Sequence, residues 1–214
     1  MKKLIIITVI VLFGFSTVYA QDINFGAKAG VNFASITGDD TDDLDGRTSF
    51  HVGIVAEIVI SDKFSVQPEL VYSNQGATSE DSYTEEGINI MEEGTVKLDY
   101  INLPVMAKFY VGEGFSLEAG PQIGFLMNSE IEMKLTANGA GISESISVTE
   151  DLKDYVKGID FGVNFGVGYK MENGLNFGAR YNLGLSDGND DPEFFESNTS
   201  FKNSVIQVSV GYFF

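Results

Sequence analysis

Cysteine is absent from all 214 residues, tryptophan is absent as well, and histidine occurs once, as His51. Without cysteine there are no disulfides and no thiolate chemistry, so stability must come from backbone pairing and packing. A lipid anchor is excluded too, because no Cys follows the cleavage pattern described below. Bases are scarce: 13 Lys and Arg stand against 31 Asp and Glu, a formal charge of −18. That balance argues against nucleic acid as a partner, since gripping phosphates takes clustered Lys and Arg. It also disfavours adhesion to an anionic lipid surface. Finally, no segment after residue 20 approaches the ~20 continuous apolar residues of a membrane helix.

The first twenty residues read as an address. Lys2 and Lys3 form a basic start, Leu4 to Phe15 an apolar run, and Val18-Tyr19-Ala20 a small-residue cleavage pattern. This is the layout of a secretory signal peptide. The expected domains are therefore 1–20, the signal peptide, and 21–214, a single mature domain of about 194 residues. Removal of the two leader lysines takes the charge to about −20.

The mature chain contains eight stretches in which apolar and polar residues alternate, near 23–36, 48–60, 64–75, 96–110, 115–128, 158–170, 175–186 and 203–214. Leu175 to Leu183 is the clearest: each odd position is apolar and each even position is polar or Gly. Side chains of a strand point alternately to its two faces, so each stretch has one apolar and one polar face. The apolar faces carry no charge in any stretch, and a Lys or Arg at mid-bilayer costs roughly 2–4 kcal/mol. Each stretch also has the ~9–11 residues that a tilted strand needs to cross a bilayer.

The connections alternate in length. Three are tight (61–63, 111–114 and 171–174) and four are long (37–47, 76–95, 129–157 and 187–202). Together these features predict an all-β fold: an eight-stranded antiparallel up-and-down transmembrane β-barrel, with short periplasmic turns and long extracellular loops. The even strand number puts both termini in the periplasm. A monomer in outer-membrane lipid is expected, with no cofactor. Aromatics at the strand ends form two girdles, Phe33, Phe50, Tyr72, Tyr100, Phe125 and Tyr181 at the outer rim.

The polar faces must fill a lumen that, for eight strands, has room only for side chains. Lys28, Glu57, Glu69, Lys108, Glu118, Asp160 and Arg180 fall there and predict a hydrogen-bonded ionic network that plugs the barrel. Pro68, Pro104 and Pro121 interrupt the pattern, since proline has no N–H for the ladder. Bulges or shifted strand ends are the expected remedy.

The four long connections hold about −17 of the charge. Asp39, Asp40, Asp42, Asp43 and Asp45 form a candidate cation-binding loop, because carboxylates suit hard divalent ions such as Ca²⁺. Thr41 stands where a calcium loop would begin with Asp, so a solvated surface is the competing reading. Thr149 to Gly158 has a Thr cap, acids in the first turn and Lys in the last, and predicts a short helix over the mouth. Phe194 and Phe195 are candidate anchors for an extracellular partner.

His51 invites one enzymatic reading. Ser49 lies two residues away on the same face, but such side chains stand about 7 Å apart in a strand. A hydrolase would therefore need a nucleophile from elsewhere in the barrel.

Beyond pattern, the chain resembles the porin-like outer-membrane β-barrel family of Gram-negative bacteria. The resemblance rests on the leader, on Tyr100-Ile101-Asn102-Leu103-Pro104-Val105-Met106-Ala107-Lys108, on Glu118-Ala119-Gly120-Pro121 and on Asp160-Phe161-Gly162 with Gly166-Val167-Gly168-Tyr169. It also rests on the end of the chain, where Val208, Val210, Tyr212 and Phe214 alternate up to a terminal aromatic. That ending resembles the signal read by barrel-assembly machinery, which the likeness implies as a partner during biogenesis. The family carries no shared catalytic residue. The implied role is non-enzymatic, structural or interactive at the cell surface; the alternatives are a narrow channel for small cationic solutes and, behind it, the His51 hydrolase.

Overall fold

The alternating stretches become nine antiparallel strands: β1 (Ile23–Gly38), β2 (Asp45–Ser61), β3 (Phe64–Glu85), β4 (Ile88–Tyr110), β5 (Phe115–Gly139), β6 (Ile142–Asp151), β7 (Ile159–Lys170), β8 (Leu175–Gly184) and β9 (Phe201–Phe213). They are seen in a computed structural model that describes residues 22–39, 41, 43–85, 87–139, 142–191 and 200–214. The expected leader 1–20, Asp40, Asp42, Phe194 and Phe195 lie outside the described residues.

Eight strands close a ring in the order β1-β2-β3-β4-β5-β7-β8-β9, with β9 returning to β1 from Gly26↔Phe213 to Gly38↔Phe201. All eight expected strands are present, and the three tight turns join their ends as expected. Gly114 and Gly174 adopt the left-handed backbone that these turns require, with φ of 77° and 89°.

The faces separate as alternation dictates. Phe25 and Ile54 on the outside are each 61% exposed, while Lys28 and Asn32 on the inside are 9% and 0% exposed. Phe33, Phe50, Phe125 and Tyr181 stand exposed on the outer surface. Tyr100, expected with them, points inward and is buried.

The ninth strand corrects the loop assignment. Segments 76–95 and 129–157 were expected as long loops. Instead β3 and β4 continue as a paired hairpin out to Glu85↔Ile88, and β5 continues into β6 out to Gly139↔Ile142. On the edge away from β4, β5 therefore serves two partners, β7 along Phe115–Phe125 and β6 along Glu130–Gly139. The result is a four-stranded fin, β3-β4-β5-β6, projecting past the ring. On its outward face the apolar belt gives way to charge, with cross-strand pairs Lys97–Glu132 and Lys134–Glu93 at 2.5 Å each.

The helix expected at Thr149–Gly158 is absent. Thr149, Glu150 and Asp151 pair with Glu132, Ile131 and Glu130, and residues 153–155 form a turn. The alternating Ser145-Ile146-Ser147-Val148-Thr149 run suits the open edge of β5, and that ladder outcompetes the capping signals.

The prolines do not cause bulges. The β3–β4 ladder opens between Pro68↔Val105 and Val71↔Asn102, and the β4–β5 ladder between Pro104↔Gln122 and Ala107↔Ala119, each resuming in the same register. The irregularity that matters lies at Asp99/Tyr100, opposite Met127. It reverses the facing of β5, so inward positions are even-numbered up to Leu126 and odd-numbered from Ser129.

Candidate functional site

Inward side chains lie in three layers along the ring. The layer nearest the tight turns is ionic. Glu69 on β3, its side chain fully buried, takes both guanidinium nitrogens of Arg180 on β8 at 3.0 and 2.9 Å, a two-point grip suited to carboxylate. Lys28 on β1 donates to the same carboxylate at 2.5 Å, and the Gln67 amide at 2.7 Å. Arg180 also reaches Glu118 on β5 at 3.1 Å. Lys108 on β4 lies 3.4 Å from Glu118 and 3.7 Å from Glu57 on β2. Glu57 in turn accepts from Lys170 on β7 at 2.8 Å, from Ser65 at 2.8 Å and from the Tyr110 hydroxyl. Phe213 on β9 completes the circuit, its ring centroid 4.2 Å from the Lys170 ammonium and 5.8 Å from that of Lys108. Every strand of the ring thus contributes at least one side chain to a connected set.

A second layer is built from amides. Asn32 donates to the Ser73 hydroxyl at 3.0 Å and to the Asn74 carbonyl at 2.7 Å. Its oxygen meets His51 Nδ1 at 2.7 Å and the Gln207 amide at 3.0 Å. Asn164 links Gln122 and Asn182, at 3.2 Å to each.

The third layer, at the mouth, is apolar. Ile36, Ala77, Leu98, Tyr100, Leu126, Leu152, Val156 and Phe201 form one buried cluster, with Leu44, Val96, Ile131 and Tyr155 packed against it. Leu152 and Val156 come from the turn after β6, which folds back over the opening. Val156 bridges to Asn189, and Asp187 ties the neighbouring segment down. Burial opposes ionisation of Asp187, yet the Asn189 and Phe201 N–H groups, at 3.1 and 3.2 Å, and Lys157, at 3.7 Å, hold its carboxyl below the usual range.

The structure brings six of the seven expected network residues together: Lys28, Glu57, Glu69, Lys108, Glu118 and Arg180. Asp160 is apart from them, accepting from the Ser186 hydroxyl at 2.7 Å near the loop end. Lys170 takes a place the sequence reading left empty. It shares the parity of Asp160 and Asn164 along one strand, and that signal was sufficient to find it. Val208, Val210 and Tyr212 face outward on β9, beside the seam with β1, and Phe214 follows the strand's end, exposed.

In the acidic first loop, Asp39 accepts from the Ser200 N–H at 3.1 Å and Asp45 begins β2. Among the described residues no three His, Asp or Glu side chains converge as metal ligands. Ser49 donates to the Asn74 carbonyl at 2.6 Å, and among the described residues His51 Nε2 has no hydrogen-bond partner. Among the described residues neither ring nitrogen of His51 meets a hydroxyl, and its Nδ1 is taken by the Asn32 oxygen.

A family described as "Outer membrane protein beta-barrel domain" matches residues 19–188. Among solved structures, the chain is similar to Ail, the attachment invasion locus protein of Yersinia pestis, at 16% identity and a TM-score of 0.47, covering 89% of this chain and 98% of that one. It is likewise similar to Neisserial surface protein A, at 13% identity and a TM-score of 0.43, covering 88% and 96%. A search of curated proteins finds no match.

Proposed function

The chain belongs to the outer membrane protein beta-barrel domain family, and from that premise we propose that it works as a closed barrel whose business is surface interaction rather than transport. Its place is the outer membrane. In the proposed orientation the tight turns and both termini are periplasmic, and the fin and mouth are extracellular. The leader 1–20 delivers it, and the exposed residues Val208, Val210, Tyr212 and Phe214 are the assembly signal.

What supports this reading is the pair of layers inside the ring, the ionic network and the apolar cluster at the mouth. A hydrated ion crossing the barrel would have to displace the Glu69–Arg180–Glu118–Lys108–Glu57 chain and also part the Leu98–Tyr100–Leu126 cap. Removing one partner of a buried ion pair is strongly unfavourable, of order 3–5 kcal/mol, so spontaneous opening is rare. The scaffold is thereby rigid, and what varies in chemistry is presented outside, on the acidic fin.

The test is conductance in planar bilayers. Wild-type protein is expected to give no steps. Alanine at Lys28, Glu57, Glu69, Lys108, Glu118 and Arg180 together, without cap changes, is expected to stay silent or flicker. Adding Leu98→Ala and Tyr100→Ala opens a steady path. Steady steps from the wild type would overturn the closed reading and favour a narrow cation channel.

A further inference from the structure

β6 is the last strand of the fin, and among the described residues it has one neighbour. Its partner β5 covers one edge from Glu130↔Asp151 to Gly139↔Ile142, and the sheet order ends there. Among the described residues the other edge leaves its backbone N–H and C=O groups unpaired along ten residues, which is a template for another strand. Directly opposed residues share a sheet face, so the face that continues the lumen can be read across the fin. It carries Ile146 beside Leu135 and Val148 beside Met133. These four are 62%, 42%, 49% and 44% exposed. They floor an open groove of about 960 Å³ whose walls include Asp81, Glu92 and Glu150. Along the β6 edge itself, Glu144 and Glu150 flank Ile146 and Val148 on that same face.

We propose that β6 receives an extended cationic segment of another protein as a tenth strand. The segment's side chains facing the groove run basic, apolar, apolar, basic at every second residue. Such a segment pairs its backbone with the open edge, sets its apolar residues beside Ile146 and Val148, and sets its bases opposite Glu144 and Glu150. The pattern reads the same in both chain directions, so a parallel or an antiparallel addition satisfies it. Main-chain bonds give such a complex affinity, and alternate side chains give it specificity. A second copy of this chain is the wrong occupant. Antiparallel pairing of two β6 edges with Ile146 opposite Val148 sets Glu144 opposite Glu150 twice, and directly opposed like charges destabilise a sheet. Anionic lipid or polyanion is disfavoured by the same carboxylates. The proposal rests on the surface-interaction role above and names the partner class for it.

The probe is a fluorescent peptide with the core Lys-Thr-Val-Thr-Val-Thr-Lys, added to refolded protein in lipid nanodiscs and followed by anisotropy. Stoichiometric 1:1 binding to the wild type is expected. Glu144→Lys with Glu150→Lys weakens it at least about tenfold, and a peptide with Glu in place of both Lys binds that variant instead. N-methylation of alternate peptide amides removes binding for one set of positions and spares it for the other. No binding to the wild type, equal binding to wild type and charge-reversed protein, or indifference to the N-methylated set each overturns the proposal. So does self-association of the protein through β6 in place of peptide binding. A peptide failure with an electrically silent barrel defeats this inference alone, whereas wild-type conductance defeats the closed-barrel reading on which it rests.

Discussion

Replacing Glu69 with alanine is the most informative single perturbation of the lumen. Its carboxylate is the shared acceptor of Arg180 and Lys28, with Gln67 as a third donor. The substitution leaves two cations buried. Arg180 keeps Glu118 at 3.1 Å, but among the described residues Lys28 has no other ion pair. Breaking a buried pair by removing one member costs about 3–5 kcal/mol, and Glu69→Ala belongs at the upper end because two cations lose their partner. Lys28→Met should cost clearly less, since Glu69 retains the two-point contact with Arg180. The double variant Glu69→Ala, Arg180→Ala should cost less than the sum of its singles by more than about 1 kcal/mol, as residues of one network do. With no tryptophan in the chain, urea unfolding in lipid vesicles is best followed by far-UV circular dichroism. A loss below about 1 kcal/mol for Glu69→Ala, the range of exposed ion pairs, would refute the buried network as a structural element.

Three other outcomes follow from the same geometry. A Cβ on Gly30 would meet the Val208 carbonyl oxygen at 2.0 Å, whereas one on Gly46 meets nothing nearer than 3.4 Å. Gly30→Ala should therefore open the β1–β9 seam and lower folding yield, at about 1–3 kcal/mol or more, and Gly46→Ala should leave both unchanged. Ile54→Lys on the outer surface should cost about 2–4 kcal/mol in refolding titrations, while Ser145→Lys on the fin should stay within about 0.5 kcal/mol. The Asp187 carboxyl is held below its ordinary range by the Asn189 and Phe201 N–H groups. Because its folded value is depressed, its contribution is complete above the ordinary carboxylate range and is lost as pH falls through the folded value. Amide protection factors at Asn189 and Phe201, taken against intrinsic exchange at each pH, should fall in acid, and Asp187→Asn should remove that pH dependence.

The ring was legible because parity along a strand is a local property. Phe25, Ala27 and Ala29 against Gly26, Lys28 and Gly30 divide outside from inside without knowledge of any neighbour. The fin was not legible for the complementary reason. Ser79-Glu80-Asp81-Ser82 is a poor strand by composition, and what holds it is pairing with Gly94, Glu93, Glu92 and Met91. The supporting charge pairs join residues far apart in the chain, such as Lys134 and Glu93. Parity also gives no height along the barrel. Asp160 and Lys170 share a face, yet one sits near the mouth and the other in the ionic layer. The apolar cap depended on the irregularity opposite Met127, which turns Ile131 inward and which no local pattern announces.

The measurement closest to the central claim is single-channel recording of the unmodified protein in a planar bilayer, beside the variant with both ionic layer and cap cut to alanine. A barrel sealed twice predicts silence from the first and steady steps from the second. Steady steps from the unmodified protein would contradict the account, because the network from Glu69 to Glu57 and the cap above it would then be no barrier to ions.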